Sequence, residues 1–153
     1  PDRSALPPTS TPPSRPTFSP PSSMRILLDT QVWLWMLASP ERLAPSARAL
    51  LVSAENQLLL SAASAWEIAI KHGLGKLTLA AAPSVVVPEL MARSGVTALP
   101  VLHAHALGVA TLPPHHRDPF DRLLIAQAQL ERVPVLTADA QFDRYDVEVL
   151  DAV

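Results

Sequence analysis

The stretch Met24-Arg25-Ile26-Leu27-Leu28-Asp29-Thr30 decides the fold. Its centre, from Arg25 to Leu28, is short, unbroken and mostly apolar, which is typical of a strand buried on both faces. The run stops at an acid, Asp29. Open α/β sheets place their functional groups at the carboxyl ends of their strands, so Asp29 is the first candidate active-site residue.

Strand and helix patterns alternate along the rest of the chain. The later predicted strands cover 57–60, 96–99, 133–137 and 147–150, and the predicted helices cover 30–37, 45–54, 61–72, 83–94, 103–110 and 118–132. Such alternation predicts right-handed βαβ crossovers. The expected fold is therefore an α/β fold whose parallel sheet is covered by helices on both faces.

Composition limits the classes of function that the chain can have. It has 153 residues, a net charge of -2 and no cysteine. The lack of cysteine excludes disulfides, thiolate catalysis and cysteine-ligated zinc. The slightly negative net charge argues against a broad basic surface for nucleic acid. No apolar run approaches the roughly 20 residues that span a bilayer, and no signal-peptide pattern is present. We therefore expect a cytoplasmic protein that does not enter a membrane.

Residues 1–23 differ from all that follows because they are mostly Pro, Ser and Thr. Such a segment buries too little apolar surface to offset the entropy of ordering it, so it is predicted to be disordered. We interpret it as a cloning remnant, or as translation from upstream of a true start at Met24. The other interpretation is a Pro-rich ligand for a partner domain. The predicted folded domain is 24–153.

Two candidate acids lie near the first two strands, and each also has a structural interpretation. Asp29 follows the first strand and precedes a helix directly, which is the position of an N-cap. Glu67 lies among small and apolar residues. Ser64 and Glu67 have the spacing of a capping box. If the helix instead begins near Ser61, Glu67 lies in its second turn and projects towards Asp29, and the apolar periodicity from Ala62 favours this second interpretation.

Three further acids lie near the other helix starts. Asp118 precedes Pro119, and proline is best tolerated at the first helical position, so Asp118 is the predicted N-cap. Asp121 then lies at N3, where a carboxylate also stabilises the helix dipole. We assign Asp121 to the site and Asp118 to capping or support. Asp139 repeats the arrangement of Asp29, with a strand before it and a helical turn after it.

These acids all fall at one edge of the predicted parallel sheet. Carboxylates that converge without an equal number of cations repel one another, and a hard divalent cation such as Mg²⁺ or Mn²⁺ relieves that repulsion. Such an ion lowers the pKa of a bound water and orients it for attack on phosphorus. The residues alone therefore predict metal-assisted phosphodiester hydrolysis.

No other motif predicts a second chemistry. His103, His105, His115 and His116 form pairs at i, i+2 and i, i+1, whereas zinc-binding histidines on a helix favour i, i+4. We interpret these histidines as making local hydrogen bonds. A phosphate-binding Gly-x-x-x-x-Gly-Lys motif is missing, and Ser64 has no paired histidine at a diagnostic spacing.

Longer stretches of the sequence resemble a known family. They are Leu27-Leu28-Asp29-Thr30 with the Trp-rich helix after it, Ser61-Ala62-Ala63-Ser64-Ala65-Trp66-Glu67-Ile68-Ala69-Ile70-Lys71, Leu136-Thr137-Ala138-Asp139 and, above all, His116-Arg117-Asp118-Pro119-Phe120-Asp121-Arg122-Leu123-Leu124-Ile125-Ala126-Gln127-Ala128. Over nearly all of 24–153 the chain is similar to PIN-domain proteins, and more closely to VapC-like ribonuclease toxins of type II toxin–antitoxin systems.

The resemblance implies a three-layer α/β/α sandwich with a mostly parallel sheet and a Mg²⁺- or Mn²⁺-dependent endoribonuclease. It also implies an RNA substrate, a cognate antitoxin that inserts a segment into the toxin's groove, and a toxin homodimer. The metal-binding and catalytic residues that it implies are Asp29, Glu67, Asp121 and Asp139, with Thr30 and Thr137 as polar support. Trp33, Trp35 and Met36 lie in one short helix, and we expect part of this helix or the next to contact a second copy or the antitoxin.

One residue departs from the family pattern. This branch of the family usually has a histidine after Asp-Thr at the first strand, and Gln31 stands there instead. A catalytically inactive binding module that acts through a protein partner is therefore the alternative function. A phosphatase with Asp29 as nucleophile ranks lower, because such enzymes need a second acid where Gln31 lies. The basic residues near the predicted site are few, and we expect Lys71, Arg117 and Arg122 to contact substrate.

Overall fold

The computed structural model of the protein describes residues 23–153. Residues 1–22, on which the prediction of a disordered leader falls, lie outside the described residues. Ser23 is exposed, and the first strand begins two residues later.

The centre of the described chain is a five-stranded parallel sheet with the strand order β3-β2-β1-β4-β5. The strands are β1 (Arg25–Leu28), β2 (Gln57–Ser61), β3 (Thr97–Leu99), β4 (Val135–Thr137) and β5 (Val149–Asp151). Three apolar residues of β1, from Ile26 to Leu28, are fully buried because strands flank it on both sides and helices cover both faces. The predicted α/β fold with a parallel sheet is thus confirmed.

Within residues 23–153, six helices connect the strands. They are α1 (Thr30–Ala38), α2 (Pro45–Val52), α3 (Ala62–Gly73), α4 (Pro83–Ser94), α5 (His103–Gly108) and α6 (Pro119–Glu131), with short 3-10 turns at Pro40–Arg42, Val109–Thr111 and Ala140–Arg144. Proline occupies the first position of α2, α4 and α6, where its missing N–H costs no helical hydrogen bond. Gly95 ends α4 with φ 72°, a left-handed conformation that favours glycine.

The sheet divides the core into two apolar clusters, which makes the fold a three-layer sandwich. Ile26 and Leu28 face one cluster, which also receives side chains from α1, α2 and α4. Leu27 faces the other cluster, to which α6 contributes most. The alternation follows from the strand period of two residues, so every apolar side chain of β1 is buried on one face or the other.

The Trp-rich helix α1 packs mainly into the first cluster. Trp33 is fully buried and donates its indole N–H to the Ser94 hydroxyl at 3.1 Å. Trp35 and Met36 are half-buried against the same cluster. Core packing accounts for most of the apolar surface of α1, and the contact with a partner that we expected there stays a prediction.

A more exposed apolar row runs along α3 and ends directly after it. Trp66 and Ile70 on α3 and Leu74 after its end are spaced four residues apart and are 60%, 38% and 64% exposed. The Trp66 ring meets the Phe120 ring edge to face, with 5.1 Å between the centroids. Over the described range 23–153, no helix combines the length and the apolar character that crossing a membrane requires.

Candidate active site

Two of the predicted acids meet at the carboxyl edge of neighbouring strands. Asp29 follows β1, and Thr137 ends β4, which pairs with β1 through Leu28 and Leu136. The Thr137 hydroxyl donates a hydrogen bond to Asp29 Oδ2 at 2.7 Å and accepts one from the backbone N–H of Asp139 at 3.0 Å. One threonine therefore fixes both acids.

Helix α3 brings the third acid to this edge. Ser61 caps the helix by accepting from the backbone N–H of Ala63 at 3.0 Å, so Glu67 lies in the second turn, as the favoured interpretation of the sequence required. Glu67 is buried, and its carboxylate pairs with Lys71 Nζ at 2.8 Å. Ser64 has no capping-box role here. Its hydroxyl oxygen accepts from the Thr30 hydroxyl at 2.7 Å, which ties α1 to α3.

Helix α6 supplies the fourth acid. Asp118 caps the helix by accepting from the backbone N–H groups of Phe120 at 2.8 Å and Asp121 at 3.2 Å. Pro119 begins the helix, so Asp121 lies at N3, as predicted. The cap directs the first turn of α6 so that the Asp121 carboxylate faces the acids of the sheet edge.

All four predicted acids line one cavity of about 300 Å³. Its lining consists of Asp29, Thr30, Gln31, Leu34, Glu67, Ile68, Lys71, Leu77, Asp118, Asp121, Ala138 and Asp139. Lys71 is the one cationic side chain in that lining, among the residues that the structure describes. Its charge is already bonded to Glu67. The cavity thus contains more negative than positive charge.

The excess of negative charge changes how the acids titrate. Burial raises the pKa of the Asp121 carboxyl to about 8, and the surrounding carboxylates, Asp29 first, add to the effect. Burial also raises the pKa of Asp29, although the hydrogen bond from Thr137 opposes the rise. The hydrogen bond to Glu67 raises the pKa of Lys71. A site in which a buried acid among other carboxylates resists ionisation favours a cation.

The sequence analysis missed His116. We expected its hydrogen bonds to be local, and one of them is, because its ring Nδ1 accepts from the backbone N–H of Asp118 at 3.1 Å. Its Nε2, however, lies 2.9 Å from Asp121 Oδ2 and 2.9 Å from Asp139 Oδ2. The sequence signals were its position two residues before the N-cap of α6 and its place at the head of the stretch that resembles the family most.

The structure gives Arg122 a different role from the substrate contact that we expected. Its guanidinium donates to four backbone oxygens and one hydroxyl, which belong to Val109, Leu112, Pro113, His116 and Tyr145. The side chain is outside the cavity lining and holds the loop before α6 in place. The sequence alone does not show whether an arginine near a site binds the phosphates of a substrate or carbonyl oxygens of the protein itself.

The other two basic residues remain candidates for substrate contact. Lys71 lines the cavity, and about half of its side chain is exposed. Arg117 is exposed and lies directly before the capping Asp118, although it is outside the cavity lining.

The donor set suits a hard divalent cation. Carboxylate oxygens of Asp121 and Asp139 lie within 4.8 Å of each other and of a ring nitrogen of His116. Asp29 and Glu67 add carboxylate oxygens to the same cavity. Oxygen-rich carboxylate sets fit Mg²⁺ and Mn²⁺, whereas zinc sites are usually richer in nitrogen and sulfur.

Comparison with known proteins assigns the chain to a class. The sequence pattern of the PIN domain matches residues 26–148. The chain therefore belongs to the PIN domain family, and the resemblance noted from the sequence is confirmed.

One curated relative is similar in sequence over part of the chain. Over 58 residues the chain is 50% identical to Ribonuclease VapC16 of Mycobacterium tuberculosis (strain ATCC 25618 / H37Rv), a segment that covers 38% of this chain and 41% of the relative. The matched segment thus spans less than half of that relative's length.

Solved structures share the fold at low identity. The crystal structure of VapBC2 from Rickettsia felis, bound to a DNA fragment from their promoter, has a TM-score of 0.64 at 14% identity, and the match covers 85% of this chain and 100% of that chain. FitAcB from Neisseria gonorrhoeae has a TM-score of 0.56 at 24% identity, with 82% of this chain and 96% of that chain covered.

Proposed function

We propose that the protein is a metal-dependent endoribonuclease and the toxin component of a toxin–antitoxin pair. The observation that carries this proposal is the convergence of Asp29, Glu67, Asp121 and Asp139 on one cavity. These acids come from four separate parts of the chain. Local capping explains the position of a single acid, but it does not explain why all four face the same space.

The four acids would hold one or two Mg²⁺ or Mn²⁺ ions. When bound, such a metal supplies an activated water and stabilises the negative charge that develops on phosphate oxygens. The chain's own residues prepare the site for it. Thr137 orients Asp29 by its hydrogen bond at 2.7 Å. Lys71 balances part of the negative charge through Glu67 and offers a cation to the RNA backbone.

RNA as substrate is supported by the name of the relative, Ribonuclease VapC16. The site also fits an exposed RNA loop better than a long duplex. Few cations surround the cavity, and the recognition of loops depends on shape and stacking as well as charge. Lys71 and Arg117 would contact phosphates, and the reaction would take place in the cytoplasm.

An antitoxin partner and a homodimer belong to the same proposal. The solved structures with this fold include a toxin–antitoxin complex from Klebsiella pneumoniae, with a TM-score of 0.57 at 16% identity over 82% of this chain and 95% of that chain. The exposed row of Trp66 and Ile70 on α3 and Leu74 directly after it offers apolar surface on a helix that also lines the cavity, and exposed apolar rows commonly mark protein contacts.

Cleavage of total cellular RNA by the purified protein tests the nuclease. The reactions contain Mg²⁺, Mn²⁺ or EDTA and are repeated with Asp29→Asn. Asp146→Asn is the matched control, because Asp146 is exposed and lies before β5, at the opposite edge of the sheet from the cavity. We expect discrete fragments that require metal, persist in Asp146→Asn and disappear in Asp29→Asn. Fragments that persist in Asp29→Asn would overturn the assignment.

The second candidate function is an inactive binding module, and Gln31 is the observation that favours it. Gln31 is exposed in the cavity lining, where related proteins usually carry a histidine, and its amide cannot transfer a proton. A titration of the isolated protein with Mg²⁺ separates the two functions. If the protein binds Mg²⁺ with measurable heat and also cleaves RNA, the enzyme is supported. If it does neither, the binding module is supported.

A further inference from the structure

His116 lies between two acids that come from different elements. Its Nε2 is 2.9 Å from Asp121 Oδ2, in the first turn of α6, and 2.9 Å from Asp139 Oδ2, after β4. The imidazole is only 8% exposed. A buried ring in this position determines how far apart the two carboxylates stand.

The second ring nitrogen determines which tautomer is present. Nδ1 faces the backbone N–H of Asp118 at 3.1 Å, and that group can only donate. Nδ1 must therefore carry a lone pair, which places the ring proton on Nε2. Nε2 then presents an N–H to the acids and has no lone pair left for a metal ion.

The surrounding loop prevents the ring from turning away. The backbone N–H of His116 donates to the Tyr145 hydroxyl at 2.6 Å, and its carbonyl oxygen accepts from Arg122 at 3.4 Å. The Phe142 ring meets the imidazole edge to face, with 6.1 Å between the centroids. Both the backbone and the ring of His116 are thus held by residues outside the cavity.

We propose that His116 is a positioning residue that donates its Nε2 hydrogen to Asp121 and Asp139, so that both carboxylates face a shared cation. The proposal rests on the metal-dependent site described above and adds the group that keeps this site assembled. Without the donor, the two carboxyl groups would be free to turn apart, and a cation would have to bring them together at a cost in affinity. Hydrogen-bond partners of metal ligands commonly change metal affinity by about 10- to 100-fold.

Calorimetric titration with Mg²⁺ in the absence of RNA tests the proposal. We expect His116→Ala to bind Mg²⁺ about tenfold or more weakly, and His116→Gln, which retains an N–H donor, to recover part of the loss. His103→Ala is the matched control, because His103 is exposed and lies at the start of α5, outside the cavity lining. Far-UV circular dichroism checks that each variant remains folded. Wild-type Mg²⁺ affinity in folded His116→Ala would overturn the proposal.

A titration with Zn²⁺ separates positioning from direct ligation. If His116 were a ligand, His116→Ala would lose much more Zn²⁺ affinity than Mg²⁺ affinity, because an imidazole nitrogen binds Zn²⁺ more strongly, and the proposal would be wrong. Nitrogen-15 NMR spectra of the metal-free protein show which ring nitrogen of His116 carries the proton. The signals of His116 are identified because they disappear in His116→Gln. We expect a protonated Nε2 and an unprotonated Nδ1, and a protonated Nδ1 would contradict the proposal.

These readouts do not depend on RNA. If the wild-type protein binds Mg²⁺ but leaves RNA intact, the proposed nuclease function is wrong. The Mg²⁺ affinities of wild type and the His116 variants still decide the role of His116. If the protein binds no Mg²⁺ at all, the metal site fails, and with it the role of His116 in metal binding.

Discussion

The hydroxyl of Thr137 donates a hydrogen bond of 2.7 Å to Asp29, a residue 108 positions earlier in the chain. The bond connects the ends of the adjacent strands β1 and β4 below the cavity. Because the same hydroxyl accepts from the backbone N–H of Asp139, its orientation is fixed, and its hydrogen points to the Asp29 carboxylate. Two of the four acids therefore depend on one buried side chain.

Thr137→Val should weaken both the fold and the metal site. The variant retains the shape of threonine but leaves the backbone N–H of Asp139 without its acceptor and Asp29 without its donor, which costs about 1–3 kcal/mol in the free energy of unfolding. Mg²⁺ affinity should fall, because the Asp29 carboxylate is no longer oriented. Urea unfolding and calorimetry measure the two effects.

Two further variants serve as comparisons for Thr137. Thr137→Ser retains the hydroxyl and should stay close to wild type in Mg²⁺ affinity. Thr97→Val changes an exposed threonine on β3 and should leave Mg²⁺ affinity unchanged. Equal Mg²⁺ affinity in Thr137→Val and wild type would show that Asp29 does not need its donor.

Asp121→Asn should stabilise the metal-free protein. The pKa of Asp121 is about 8 in the folded protein, whereas an unfolded aspartate titrates near 3.9. Between these values the folded state binds more protons than the unfolded state, so stability falls as pH rises through the window from about 4 to 8. Asparagine does not ionise in this range, so the variant does not lose stability in this way as pH rises.

Thermal unfolding in EDTA at several pH values checks the prediction for Asp121. The melting temperature of Asp121→Asn should exceed that of wild type by about 2–8 °C near pH 8, a range that corresponds to roughly 1–2 kcal/mol for a chain of this size. The difference should shrink towards pH 5. Added Mg²⁺ should stabilise wild type more than the variant. A variant that is less stable than wild type at pH 8 would mean that the acids do not repel one another in the metal-free protein.

Arg122→Lys should destabilise the loop that holds His116, although the charge is conserved. A lysine ammonium has three donors on a flexible stem and cannot replace a planar guanidinium that reaches several oxygens at once. We expect a loss of about 1–3 kcal/mol in the free energy of unfolding, together with weaker Mg²⁺ binding. Arg48→Lys is the control, because Arg48 is exposed on α2. If Arg122→Lys weakened RNA binding alone, with stability unchanged, the substrate contact first expected for Arg122 would be the better account.

Much of this architecture is predictable from local sequence. The buried run before Asp29 identifies the central strand, and the Asp118-Pro119 pair defines the start of α6 to within one residue, because capping and proline geometry are local effects. The positions of Asp29 and Asp139 follow from the rule that parallel strands end at a common edge.

The roles of His116 and Arg122 could not be predicted in the same way. Both depend on how the loop before α6 folds over the turn after β4, which brings Asp139 and Tyr145 close to residues more than 20 positions away. No periodic pattern encodes such contacts. A histidine whose ring also bonds an acid 23 positions away looks in sequence like any loop histidine.

Single-turnover RNA cleavage over a range of Mg²⁺ concentrations, with wild type beside Asp29→Asn and Asp121→Asn, tests the central claim most directly. The account predicts cleavage that depends on Mg²⁺, stops in EDTA and falls by about 100-fold or more in each variant, since each removes a charged ligand of the same site. Cleavage that continues in EDTA, or that proceeds at the wild-type rate in either variant, would show that these acids are not the catalytic centre.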